Sequence, residues 1–139
     1  MKPIYDALEK NRGKVIYFDF WARWCPPCLA EMEPLKQLRS KFSTDDLIIY
    51  SICVSEPKEQ WEECLNEYSL RNRGIECVHV TDYLGIDNYQ KIRKQWKIDR
   101  MPYYILINRQ GQIIDFGTAA RPSNPQLVSR IEEAVKDTK

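Results

Sequence analysis

The stretch that decides the fold is Val15-Ile-Tyr-Phe-Asp-Phe-Trp-Ala-Arg-Trp-Cys-Pro-Pro-Cys28. Its first half, residues 15–21, is β-branched, aromatic and apolar on both faces, which predicts a central strand covered on both sides. From the second cysteine onward, apolar residues recur at helical spacing, at Cys28, Met32, Leu35, Leu38 and Phe42. We therefore expect a helix from the C-x-x-C motif to about Phe42, bent at Pro34.

The rest of the chain alternates between strand and helix patterns. We predict a buried strand over residues 47–54, a helix around 61–68, a short strand around 78–80, a helix around 89–96, a hairpin of 103–107 with 113–116, and a last helix over 127–135. This order predicts an α/β fold with a central mixed β-sheet and helices on both faces. No linker divides residues 1–139, so we expect a single domain with a core of about 13–137.

Composition narrows the function classes. The chain has 139 residues and a formal net charge of +1, with no block of like charge, so nothing indicates nucleic-acid binding. The residues supply one histidine, His79, and no second C-x-x-C pair, which leaves no recognisable zinc site. We interpret Cys53, Cys64 and Cys77 as buried small apolar residues, with a Cys64–Cys77 bridge left open.

The position of the C-x-x-C pair predicts its chemistry. At the start of a helix, unpaired N–H groups favour an anion, and a thiolate is the form of cysteine that attacks a disulfide. We expect Cys25 to attack and Cys28, one turn later, to resolve the mixed disulfide. Pro26 and Pro27 have no N–H to donate, so we expect a Cys25 pKa moderately below about 8.5 and a reducing pair.

Three stretches carry a resemblance to a known family. They are Phe18-Asp-Phe-Trp-Ala-Arg-Trp-Cys-Pro-Pro-Cys28, Met101-Pro102, and Tyr104-Ile-Leu-Ile-Asn-Arg-Gln-Gly-Gln-Ile113. With them the chain resembles the thioredoxin superfamily and its TlpA/ResA-like branch. The resemblance implies a thioredoxin fold with a TlpA-like central insertion at about 55–87. It also implies a cis-proline at Pro102 and substrate contacts by Trp24, Pro26, Pro27, Met101 and Pro102.

The same resemblance implies roles for two acidic residues. Asp19 is an acid in an apolar strand, where burial should raise its pKa. It matches the buried aspartate of thioredoxin, which implies a proton relay to the second cysteine. Glu31 matches a glutamate of the ResA-like branch that tunes the cysteine pKa values. An ordinary acid in the first helical turn is the alternative interpretation of Glu31.

The function that the resemblance implies is reduction of protein disulfides outside the cytoplasm. It implies no cofactor beyond the redox-active Cys25–Cys28 disulfide, a membrane thiol protein as electron donor, and a monomer or a domain of a longer chain. A disulfide oxidase or isomerase is one alternative. A copper-delivery protein on the same fold, using Cys25, Cys28 and His79, is another.

Overall fold

One or two helices separate successive strands, except at the β-hairpin near the end of the described chain. The computed structural model describes residues 2–55, 57–83 and 85–137. Its elements are α1 (Lys2–Lys10), β1 (Val15–Trp21), α2 (Pro26–Ala30), α3 (Met32–Lys41), β2 (Leu47–Cys53), α4 (Lys58–Glu67), β3 (Ile75–His79), α5 (Val80–Tyr83), α6 (Ile86–Gln95), β4 (Tyr103–Ile107), β5 (Ile113–Gly117) and α7 (Pro125–Lys136).

The strands form one mixed sheet in the order β3-β2-β1-β4-β5. β1 is parallel to β2, and β2 is parallel to β3. β4 runs antiparallel to β1, and β5 returns antiparallel to β4 as the predicted hairpin. At the middle of the sheet, Asp19 lies opposite Ser51 on β2 and Tyr104 on β4. The predicted mixed sheet with a central first strand is confirmed.

Every residue of β1 is buried, because helices cover both faces of the sheet. Ile16, Phe18 and Phe20 pack on one face with residues of α1 and α6. Val15 and Tyr17 pack on the other face with residues of α3 and α7. This two-sided burial explains why β1 is apolar at nearly every position rather than alternating.

Two helical segments differ from the prediction. The helix after the motif is interrupted at Glu31, not at Pro34, and the Glu31 N–H donates to the Cys28 carbonyl at 3.1 Å. Pro34 still supplies the reason, since it has no N–H for the Ala30 carbonyl and its ring crowds that carbonyl. The second difference is α1, which the sequence analysis did not predict. With only nine residues, α1 is too short for its helical period to be recognised in the sequence. It nevertheless packs on the sheet, with Ala7 in the core.

The predicted insertion at about 55–87 holds α4, β3 and α5. β3 completes the sheet as an edge strand beside β2. The division into core and insertion stays a prediction. The longest helix that the structure describes, α7, has 12 residues, and no described helix combines the length and hydropathy of a membrane span.

Arg109, in the turn between β4 and β5, joins segments that are distant in sequence. Its guanidinium donates to the carbonyl of Val135 at 2.7 and 3.1 Å and to that of Gly13 at 2.9 Å. It also pairs with Asp46 at 3.0 Å, and its side chain is only 17% exposed. One side chain therefore connects the end of α7, the start of β1 and the loop before β2.

We expect Arg109→Ala to lower the free energy of unfolding by about 2–3 kcal/mol, because several charge-assisted hydrogen bonds are lost together. Urea unfolding measures this change. Arg12→Ala is the matched control: Arg12 makes a surface ion pair with Glu9, its side chain is 77% exposed, and its loss should cost less than about 0.5 kcal/mol. Equal effects of the two substitutions would contradict this role of Arg109.

Candidate active site

The two motif cysteines lie where β1 has ended and α2 begins. Cys25 is the N-cap residue of α2, with extended backbone angles, and is joined to Cys28 by a disulfide with a Cα–Cα distance of 5.3 Å. Pro26 and Pro27 fill the first two helical positions, where a missing N–H costs nothing. The first helical N–H that reaches the Cys25 sulfur is therefore that of Cys28, at 3.3 Å.

The residues around the disulfide include both buried and solvent-exposed side chains. Cys25 and Cys28 are both buried, while Pro26 and Pro27 are exposed beside them. Trp24, to which the resemblance assigns a substrate contact, is 66% exposed. Trp21 belongs to the buried cluster that contains both cysteines; it is fully buried and donates its indole N–H to the Ser51 hydroxyl at 2.8 Å.

Met101 and Pro102 come from the loop before β4. The peptide bond between them is cis. Met101 is half-buried and packs against the cluster that contains Cys25 and Cys28, whereas Pro102 is buried. The Pro102 carbonyl accepts a hydrogen bond from the Thr118 hydroxyl at 2.8 Å. The fold thus brings together the C-x-x-C pair and the Met-Pro dipeptide, two motifs far apart in the sequence.

Asp19 is buried in the middle of β1, on the sheet face that carries Tyr17 and Trp21. Trp21, two residues further along the same face, belongs to the buried cluster that contains both cysteines. No hydrogen-bond partner for the Asp19 Oδ1 atom is found among the described residues. Burial, followed by the negative charge of Glu31, raises the pKa of Asp19 from its ordinary value to about 8. The carboxyl can therefore change charge near neutral pH.

Glu31 lies at the break between α2 and α3, and its carboxylate has a partner elsewhere in the chain. It accepts the backbone N–H of Ser123 at 2.9 Å and the Ser123 hydroxyl at 2.7 Å. The sequence analysis did not select Ser123 for any role. The link ties the end of the motif helix to the loop before α7. Glu31 also acts on Asp19 through its charge.

A network of polar groups supports the loop that precedes Cys25. The Arg23 N–H donates to the Ser55 hydroxyl at 3.0 Å, and its guanidinium donates to Glu67 at 3.0 Å and to the Cys64 sulfur at 3.5 Å. Ser55 is buried and also contacts the Cys53 sulfur at 3.3 Å. The sequence analysis missed Arg23 and Ser55, since no local spacing links residues this far apart.

The three remaining cysteines are free thiols, so no Cys64–Cys77 bridge is formed. Burial raises the pKa of Cys53 and of Cys64 and raises that of Cys77 to about 11. They fit the interpretation as small apolar residues, since burial favours the neutral thiol.

His79, the third ligand that a copper site would need, is buried at the end of β3. Its Nε2 atom bonds the Ser55 carbonyl at 2.7 Å, and its Nδ1 atom accepts the Thr81 N–H at 3.3 Å. Both ring nitrogens are therefore engaged within the fold. Across residues 2–55, 57–83 and 85–137, no group of three or more potential ligands is placed to hold a metal ion.

A mixed sheet with a C-x-x-C disulfide between its central strand and the next helix defines a thioredoxin-fold protein with a dithiol redox site. The chain belongs to the Redoxin family, whose model matches residues 5–135. It is similar to the thiol-disulfide oxidoreductase ResA of Halalkalibacterium halodurans, at 25% identity over 129 residues. That match covers 93% of this chain and 66% of the relative, so the chain spans a little less than two thirds of the ResA length.

Solved structures support the same assignment. A solution structure from Bacteroides vulgatus, provisionally assigned as a thiol-disulfide oxidoreductase, is 32% identical with a TM-score of 0.70; the match covers 91% of this chain and 76% of that one. A thiol:disulfide interchange protein from Bacteroides sp. has the same fold, with a TM-score of 0.75 at 23% identity. That match covers 95% of this chain and 80% of the other. The chain is thus ResA-like.

The raised pKa of Asp19 predicts a pH-dependent stability. The folded protein binds this proton more tightly than the unfolded chain does, so the contribution of Asp19 to stability is greatest below the unfolded carboxyl pKa, about 4. As pH rises from there toward the folded pKa, about 8, this contribution falls by about 1.4 kcal/mol per pH unit.

We therefore expect Asp19→Asn to abolish this loss. Relative to wild type, the variant should gain about 4 kcal/mol in unfolding free energy between about pH 4 and pH 7. Urea unfolding of the oxidised protein at several pH values measures this gain. The comparison at the acidic end is the internal control, because both side chains are neutral there. Parallel stability curves for the two proteins would contradict the raised pKa.

Proposed function

We propose that the chain is a thiol–disulfide oxidoreductase that reduces disulfides of other proteins through Cys25 and Cys28. The observation that carries the proposal is the Cys25–Cys28 disulfide at the first turn of α2, with the Cys28 N–H directed at the Cys25 sulfur. A backbone N–H in this position stabilises a developing thiolate, which is the attacking form of cysteine.

The reaction proceeds in two displacements. In the reduced protein, the Cys25 thiolate attacks one sulfur of the substrate disulfide, and the other substrate sulfur leaves as a thiolate. Cys28 then attacks the Cys25 sulfur of the mixed disulfide, which releases the second substrate sulfur. Two electrons pass from the protein to the substrate, and the Cys25–Cys28 disulfide is the oxidised product.

We assign the proton of the second displacement to Asp19. Cys28 must lose its proton before it attacks, and a buried carboxylate with a pKa of about 8 is matched to a thiol of ordinary acidity. Its location on the sheet face shared with Trp21, a member of the buried cluster that contains Cys28, supports this assignment. Glu31 influences the step through its charge on Asp19.

Substrate contacts are assigned to the exposed rim around the disulfide. Trp24, Pro26 and Pro27 supply an exposed, largely apolar surface next to Cys25. We assign Met101, which is half-buried and packs against the cysteine cluster, and its neighbour Pro102 to the same contact surface. An extended substrate segment that lies across this rim would present its disulfide to Cys25.

We propose a reducing direction, because the two prolines remove N–H groups that would otherwise stabilise the reduced form strongly. Re-reduction of the protein then requires an external dithiol donor. By similarity to ResA, we propose a membrane thiol protein as donor and a location outside the cytoplasm. The dithiol itself carries the electrons, so no further cofactor is part of the proposal.

Cys28→Ser tests the two-step mechanism directly. This variant should still attack disulfides through Cys25 but fail to resolve them, so mixed disulfides with protein substrates should accumulate. Disulfide-containing scrambled ribonuclease or insulin is a suitable substrate for the pre-reduced variant, and non-reducing gels reveal the covalent adduct. We expect steady-state disulfide reduction to fall by at least about a hundredfold.

Cys77→Ser is the matched control. It removes a free thiol that is half-buried on β3, so it should leave reduction unchanged and trap no substrate. The double variant Cys25→Ser/Cys28→Ser should form no adduct. Adducts that persist in the double variant, or full activity of Cys28→Ser, would contradict the proposed function.

A further inference from the structure

Two buried polar atoms on one face of the sheet have no hydrogen-bond partner among the described residues. They are Oδ1 of Asp19 and the hydroxyl of Tyr104. Both side chains are almost completely inaccessible to solvent. A buried polar group without a partner costs about 1–3 kcal/mol, so two such groups side by side require an explanation.

The strand register puts these two residues next to each other. Asp19 on β1 lies directly opposite Tyr104 on the antiparallel strand β4. Side chains of directly opposed residues lie on the same face of a sheet, with their Cβ atoms about 5 Å apart. A phenol hydroxyl and a carboxylate so placed are complementary, because one donates a hydrogen bond and the other accepts it.

The neighbouring phenol behaves differently. Tyr17 stacks on Tyr104 with ring centroids 5.7 Å apart and planes within 5° of parallel. The Tyr17 hydroxyl donates to the Ala120 carbonyl at 2.6 Å, so it is already engaged. The stack with Tyr17 orients the Tyr104 ring, while the Tyr104 hydroxyl has no hydrogen-bond partner among the described residues.

The other cross-strand neighbour of Asp19 is Ser51 on β2. Its oxygen accepts the indole N–H of Trp21, but its own proton is available for donation. Ser51 is thus the competing donor to Asp19. Among the described residues, the other titratable or charged groups that act electrostatically with Asp19 or the two phenols are Cys53 on β2, Cys77 on β3, Glu31 at the α2–α3 break, Asp115 on β5, and Arg121 in the loop before α7.

We propose that Tyr104 is a positioning residue for Asp19. Its hydroxyl donates a hydrogen bond to the ionised carboxylate through one bound water, because no direct bond joins the two groups in the structure. The inference rests on the proposed function, in which Asp19 takes the proton of Cys28. In that reaction the hydrogen bond stabilises the charged form of Asp19, and it offsets the burial and the Glu31 charge that favour the neutral form.

The test measures the protonation of Asp19 by NMR titration of its carboxyl carbon in the oxidised protein. In this state the Cys25–Cys28 disulfide does not titrate, and no catalytic activity is needed. Tyr104→Phe retains the ring and its stack on Tyr17 and removes only the hydroxyl. We expect the Asp19 pKa to rise by about one unit, the effect of losing one hydrogen bond to a charged group.

Three further variants make the result specific. Tyr103→Phe is the matched control, because its hydroxyl donates to the Trp96 carbonyl at 2.8 Å and its ring packs on the opposite face; it should leave the Asp19 pKa unchanged. Glu31→Gln removes a nearby negative charge and should lower that pKa. Ser51→Ala should change it less than Tyr104→Phe does. An unchanged pKa in Tyr104→Phe, or a larger rise in Ser51→Ala, would overturn the proposal.

A kinetic measurement links the pair to the reaction. When the reduced protein reacts with an aromatic disulfide such as DTNB, the thiolate released by Cys25 attack and that released by Cys28 resolution appear as two phases. We expect Tyr104→Phe to slow the second phase roughly tenfold below the Asp19 pKa and to leave the first phase unchanged. Equal slowing at every pH would indicate a purely structural role and overturn the proposal. Failure of the proposed function looks different, because the wild type would then show no second phase while the NMR titration still reports on Tyr104.

Discussion

Burial of β1 on both faces is the constraint on which the rest of the molecule depends. A strand covered by helices on both sides must be largely apolar. The one acid within it, Asp19, therefore has a raised pKa, because burial favours the neutral carboxyl. β1 is the middle strand of the sheet, and the C-x-x-C pair lies between the end of this strand and the first turn of α2. The site therefore combines a disulfide at the start of a helix with a buried carboxyl in the central strand.

The strongest sequence patterns predicted most of the fold. Residues 15–21 have no polar face, which indicated a central strand, and the turn at 108–111 between two apolar runs indicated the terminal hairpin. α1 was not predicted, because a helix of nine residues is too short to show a clear helical period. Its packing on the sheet is a tertiary contact, which the local sequence does not indicate. The break at Glu31 was predicted three residues late, since a proline disturbs the turn that precedes it.

The sequence predicted those residues of the candidate site that form a recognisable local pattern. The cysteine pair and the acid in an apolar strand are visible in the sequence itself, and the resemblance added Met101 and Pro102. Ser123 and Tyr104 could not be found in this way. The Glu31–Ser123 contact joins residues 92 positions apart, and the facing of Asp19 and Tyr104 follows from strand register alone. Both are consequences of topology, so they emerge only when the strands are assembled.

The three free thiols have a consequence for the fidelity of the redox pair. Cys53 and Cys64 share an apolar cluster with the reactive disulfide, and Cys77 packs against it. Because five cysteine sulfurs lie close together, disulfide scrambling would be possible. In that reaction one of the free cysteines, as a thiolate, attacks a sulfur of the Cys25–Cys28 disulfide. Burial suppresses this side reaction, because a thiol with a pKa of about 11 is ionised in only about one molecule in ten thousand at neutral pH. Burial thus favours the neutral form of all three free thiols and keeps them unreactive next to the redox-active disulfide.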